Sequence, residues 1–188
     1  MSPVINGIKV PQNLLGNLIE TNLFESKDAD LQNALKKDGY IYIKNVINAD
    51  EIAKAREDVF QKLGDVNELK HPFSDGIASG KSNRDVLFSN RGKFWEQVSN
   101  ISTIRNITNG KTLNKIFDKI FGIPSVGFEF IFLRAVARGK FTHMHCDAGF
   151  FTRKTQKVLT CWLAFTDVPL NKGPLFVIEG SHKYEDIY

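Results

Sequence analysis

At Pro124 the pattern of this sequence changes, and the change decides its fold class. Ahead of it, apolar residues recur at helical spacing; behind it, they come in runs. Val126 to Val136 is almost continuously apolar or aromatic, Val158 to Thr166 is a second such run, and Leu175 to Ile178 a third. Runs of that length suit strands, and Pro169-Leu170-Asn171-Lys172-Gly173-Pro174 between the last two is a turn by composition. Helices first and strands afterwards predict an α+β architecture, a sandwich or barrel with a helical layer against it. Fifteen Phe among 188 residues provide a bulky core, and 42% hydrophobic against 24% charged residues excludes wholesale disorder.

The part before Pro124 reads as scaffold. Leu31, Ala34 and Leu35 form a short apolar stripe that ends at Asp38-Gly39, where glycine suits the left-handed position after a helix. Tyr40-Ile41-Tyr42-Ile43 is a β-branched and aromatic run suited to a strand. Asn48 and Glu51 have the spacing of a capping box. Ile52, Ala55, Val59, Phe60 and Leu63 follow at helical spacing, and Gly64 is expected to close that helix. From Asp65 to Ser99 the chain is rich in Gly, Ser, Asn and Asp, and its weak periodicity predicts a long functional or mobile loop. Leu113, Ile116, Phe117, Ile120 and Phe121 then share one helical face, which Gly122 and Pro124 stop.

Charge and targeting exclude several classes. The net charge is +4 and the isoelectric point near 9.0, with Lys and Arg scattered apart from a loose group between Lys81 and Lys111. No nucleic-acid motif accompanies that charge, so a solvated surface or an anionic small molecule is the better reading. No apolar run reaches the roughly 18 residues of a membrane helix. The opening Met1–Gly7 lacks the basic start and apolar stretch of a signal peptide. Cys146 and Cys161 are therefore expected to be reduced thiols in a cytoplasmic protein. Gly80-Lys81-Ser82 resembles the end of a phosphate-binding loop, but position 75, where that loop needs a glycine, is Asp.

The chemistry-bearing segment is Thr142-His143-Met144-His145-Cys146-Asp147. His143, His145 and Asp147 occupy alternate positions, which a strand would point to one face. Neighbours on that face are about 7 Å apart at the backbone and the outer two about 13 Å, so only an adjacent pair can share one ion. His145 with Asp147 provides a nitrogen and a carboxylate, two of the three ligands in the two-His, one-carboxylate face of non-haem Fe(II) oxygenases. His143 with His145 suits a cupin-type metal site instead. A strand end with polar residues facing solvent is the third reading of the same residues.

The order of motifs around this segment resembles the phytanoyl-CoA dioxygenase family of Fe(II)- and 2-oxoglutarate-dependent oxygenases. The matching residues are Arg138-Gly139, His145-Cys146-Asp147, Cys161-Trp162-Leu163-Ala164-Phe165-Thr166-Asp167, Asn171-Lys172-Gly173-Pro174-Leu175 and Glu179-Gly180-Ser181-His182-Lys183. The early Asp38-Gly39-Tyr40-Ile41-Tyr42-Ile43 and the helix after it also match. The resemblance runs from about Leu31 to the C-terminus and is poorest over Asp65 to Ser99.

That resemblance implies a double-stranded β-helix, a jelly roll of cupin-like type, with N-terminal supporting helices. Residues 1–123 would supply helical support and a first strand, and 124–188 the first jelly-roll strands with the metal motif, all in one domain. It implies His145 and Asp147 as Fe(II) ligands, Trp162 at the border of the 2-oxoglutarate pocket, and a structural turn at Gly180-Ser181-His182. In the family, the second iron-binding His and the Arg that pairs with the distal carboxylate of 2-oxoglutarate lie beyond that turn. The C-terminal strands that carry them are thus expected to be missing from these residues. The implied activity is hydroxylation of a C–H bond in a small-molecule substrate, coupled to decarboxylation of 2-oxoglutarate to succinate, without nucleic-acid or membrane partners. A non-catalytic or truncated remnant, and a cupin-type metalloprotein using His143 and His145, are the alternatives.

Overall fold

The structure is a computed structural model that describes residues 4–5, 7–23, 26–88, 90–133, 142–151, 155 and 157–184. Its described helices are α1 (Asp28–Asp38), α2 (Ala49–Asp65), α3 (Arg84–Leu87), α4 (Arg91–Ser99), α5 (Ser102–Thr108), α6 (Lys111–Phe121) and α7 (Ala148–Phe151). Contacts divide the chain into one unit of Met1–Lys44, Lys119–Gly122 and Arg138–Tyr188, and another of Asn45–Asp118 and Ile123–Ala137. No described helix is long and apolar enough to cross a membrane.

In the first unit, β1 (Val4–Ile5) pairs antiparallel with β2 (Ile8–Lys9), the one named ladder among the described residues. Helix α1 starts where the Asp30 carboxylate accepts the Lys27 N–H at 2.8 Å. Asp28 and Asp30 in its first turn and Lys36 and Lys37 in its last complement the helix dipole. The expected stripe is formed, with Leu31 fully buried and Ala34 and Leu35 half-buried. Gly39 ends the helix at φ 80°, its N–H on the Leu35 carbonyl at 2.9 Å. The run Tyr40–Ile43 makes a single parallel bridge, Tyr42 to Glu20, instead of a full strand. Both cysteines are free thiols.

The second unit is built on α2. Asn48 caps it by accepting the Asp50 N–H at 2.8 Å, one residue earlier than a capping box requires. Ala55, Val59 and Leu63 are buried at four-residue spacing, and α2 packs on α5, whose Ile104 and Ile107 are buried. Thr103 of α5 donates to the Asp58 carboxylate of α2 at 2.5 Å. Leu113 and Ile116 of α6 are buried as its periodicity predicts.

Gly64 does not close α2, which runs on through Asp65. Its absent side chain has another cause: a Cβ there would stand 2.3 Å from the Phe73 ring. Helix propensity favours Ala over Gly by about 1 kcal/mol, yet the clash forces that ring out of place. Gly64→Ala is therefore expected to destabilise the protein by about 1–2 kcal/mol, read as a lower urea midpoint; a raised midpoint would refute the close approach.

The segment from Asp65 to Ser99, expected as a long loop, is interrupted by helices. It contains α3 and α4, with Phe94 and Val98 of α4 buried. The Arg84 guanidinium lies 4.4 Å from the Phe94 ring centre and 4.5 Å from that of Trp95, and meets Glu68 at 2.5 Å. Ser82 donates to the other Glu68 oxygen at 2.6 Å. Local spacing does not report this cluster, because its partners lie up to 16 residues apart.

Beyond α6, which Gly122 stops at φ 69°, none of the three apolar runs enters a ladder among the described residues. Val126 is 94% exposed, and Phe130, Leu175 and Ile178 are also exposed. Residues 134–136 of the first run lie outside the described residues. A run of strand-forming residues becomes a strand only when another segment pairs with it. The turn at Leu170–Lys172 forms as composition predicts, ending on Gly173 at φ 73°.

Just past α6, Ser125 donates twice to one Asp118 oxygen, from its hydroxyl at 2.7 Å and its N–H at 2.5 Å. These bonds hold the Asp118 carboxyl below its ordinary 3.8. A carboxyl lowered in the fold adds stability that is present above pH 3.8 and lost as pH falls through its lowered value. Ser125→Ala is expected to move Asp118 back toward 3.8 in a carboxyl-carbon NMR titration. An unchanged titration would show that the hydroxyl contributes nothing.

Candidate functional site

His145 and Asp147 belong to the first unit, in a segment that is bent instead of extended. Residues 142–147 carry bends at Met144 and Asp147 and lead directly into α7. The Asp147 carbonyl accepts the Phe150 N–H at 3.0 Å, which starts that short helix and turns the chain. The bends bring together two side chains that a flat strand would hold about 7 Å apart at the backbone.

Two distances define the pair. His145 Nδ1 is 2.7 Å from the backbone carbonyl oxygen of His143, and His145 Nε2 is 3.2 Å from Asp147 Oδ1. A carbonyl only accepts, so the ring proton sits on Nδ1. In the neutral ring, Nε2 then presents its lone pair to an ionised carboxylate. Two acceptors facing each other at that distance repel, and a positive centre between or beside them, either a proton or a metal ion, removes the conflict. The side chains are 46% and 37% exposed, so a ligand can reach them from solvent.

The donor set fits a metal ion. Two ligand atoms bound at about 2.0–2.2 Å and roughly at right angles stand about 3 Å apart, close to the separation seen here. A ligating His commonly donates its other ring N–H to a carbonyl, which fixes the tautomer and raises the basicity of the ligating nitrogen. The His143 carbonyl occupies that position. It is a backbone group and leaves no trace in the residue pattern; what the sequence offered at His143 was its imidazole. Among the described residues, no third His, Cys, Asp or Glu joins the pair.

Trp162 is 52% exposed, and no described hydrogen bond joins it to His145 or Asp147. His182 is engaged elsewhere, with Nε2 on the Lys36 carbonyl at 3.0 Å. His71 stacks on Phe73 at 3.9 Å between ring centres. Arg138-Gly139 lies outside the described residues.

A family model, phytanoyl-CoA dioxygenase (PhyH), matches residues 35–188, a span that takes in α1 from Leu35 onward, the His145–Asp147 pair, Trp162 and the Gly180–Lys183 turn. The chain belongs to the phytanoyl-CoA dioxygenase family. Membership assigns it to a class of dioxygenase-type oxidoreductases, and it extends through the segment from Asp65 to Ser99, where the motif resemblance is weakest. No curated protein and no solved structure is significantly similar to this family member.

Proposed function

We propose that this chain carries the metal-binding half-site of an Fe(II)- and 2-oxoglutarate-dependent dioxygenase that hydroxylates a C–H bond of a small organic substrate. The observation that carries the reading is the 3.2 Å approach of His145 Nε2 to Asp147 Oδ1, with Nδ1 committed to the His143 carbonyl. Family membership supports the same chemistry. His145 and Asp147 are the residues that would hold the ion. When bound, Fe(II) with 2-oxoglutarate supplies oxygen activation, with succinate and carbon dioxide as the co-products.

The chain's own residues have separable tasks. The His143 carbonyl keeps the proton on Nδ1, so that the Nε2 lone pair stays available. The Asp147 carboxylate offsets positive charge at the site and sits opposite that nitrogen. Bends at Met144 and Asp147 hold the two donors together, and α7 fixes the backbone just after Asp147. Trp162, at the family's position beside the 2-oxoglutarate pocket, would present an aromatic face to the co-substrate. The surrounding fold in this reading is the family's double-stranded β-helix, in which the three apolar runs are strands.

The reaction is tested by oxygen consumption and succinate formation in the native protein that contains this sequence. Both are expected to require Fe(II) and 2-oxoglutarate together and to stop on chelation. Succinate formation that persists in Asp147→Ala would remove that carboxylate from the site, and turnover without added or bound metal would overturn the reading.

A further inference from the structure

The Gly180-Ser181-His182 segment has a task separate from the metal pair. An α-helix leaves its last four carbonyls without helical partners. In α1, the Leu35 carbonyl is taken by the Gly39 N–H at 2.9 Å, and the Lys36 carbonyl by His182 Nε2 at 3.0 Å. The His182 ring lies over Gly39, where a Cβ would stand 2.2 Å from Nδ1 and 2.8 Å from Cγ. Gly39 is also left-handed, at φ 80°, and Gly180 at φ 76° starts the turn that delivers the ring. His182 Nδ1 is buried and has no hydrogen-bond partner among the described residues.

We infer that His182 is a capping clasp, holding the Gly180–Lys183 turn on the last turn of α1, with Gly39 kept as glycine to receive its ring. The Lys36 carbonyl can only accept, so the clasp requires the proton on Nε2. That is the tautomer opposite to the one required of His145. With Nε2 used as a donor and Nδ1 closed off by Gly39, His182 positions the turn after the last apolar run and does not ligate metal. The inference stands independently of the proposed oxygenase chemistry.

The direct test needs no variant. Long-range proton–nitrogen NMR of the imidazoles is expected to show His182 protonated at Nε2 with Nδ1 bare; the reverse pattern overturns the clasp. A double-mutant cycle tests the steric half. Gly39→Ala is expected to lower the folding equilibrium constant roughly a hundredfold in the native background. In a His182→Ala background the loss should be only about tenfold, because the strain of a left-handed alanine is all that remains. Equal losses in both backgrounds would refute the fit of ring to glycine. His182→Gln, whose amide N–H can take the place of Nε2, should retain more stability than His182→Ala; no difference between them would show that the hydrogen bond contributes nothing.

Discussion

Replacing Asp147 or His145 with Ala is expected to weaken Fe(II) binding at least about a hundredfold, while His143→Ala leaves it within a few-fold of the unchanged protein. The difference follows from which atoms the fold uses. In the proposed site the ion would take His145 Nε2 and Asp147 Oδ1, which stand 3.2 Å apart. His143 contributes its backbone carbonyl to the Nδ1 proton, and that carbonyl survives substitution of the side chain. Removing Asp147 leaves an imidazole with no charge to balance the ion. Removing His145 leaves a carboxylate half exposed to water, where a lone ion pair is worth little. Anaerobic titration calorimetry reads all three. A cupin-type arrangement gives the opposite order, with His143→Ala abolishing binding and Asp147→Ala sparing it.

Phe94→Ala should be the most damaging single change in the second unit, costing about 3–5 kcal/mol. The Phe94 ring is 1% exposed, with Phe88 and Trp95 at 5.3 and 5.0 Å between ring centres. Its truncation leaves a cavity that the helix backbone cannot close. It also uncovers one face of the Arg84 guanidinium, which lies 4.4 Å above the ring and depends on Glu68 for its charge partner. A domain is typically stable by only about 5–15 kcal/mol, so this loss takes a large share. Urea unfolding should show a lower midpoint with an unchanged slope. A loss below about 1 kcal/mol would mean that the ring contributes no more than a surface side chain.

How much of this was legible from residue order depends on the range of the interaction concerned. Helix α1 and its Gly39 stop, and the buried face of α6, follow from neighbours three and four residues apart, and the structure bears them out. Helix α4 was not legible. Its described buried residues are Phe94, Val98 and the polar Ser99, too few apolar positions to rise above a polar, glycine-bearing segment. Gly64 reads as a stop signal because glycine is ambiguous; its reason is the Phe73 ring, which only the folded chain brings there. Whether an apolar run becomes a strand depends on another segment, and that is not written in the run itself.

The site divides the same way. His145 and Asp147 stand out through the ordered family motifs that follow them, because a nitrogen and a carboxylate two residues apart are common in unrelated sequences. Their approach comes from bends, and the tautomer from a backbone carbonyl; neither has a residue-level signature. The role of His182 was less accessible still, as its partner carbonyl lies 146 residues earlier.

The most direct test of the metal half-site is a crystal structure of the protein loaded with Fe(II) under anaerobic conditions, with anomalous data at the iron edge. The expected result is one peak within about 2.0–2.2 Å of both His145 Nε2 and Asp147 Oδ1, with Nδ1 still on the His143 carbonyl. A peak on the His143 imidazole instead, or a loaded crystal with no peak at this pair, would contradict it.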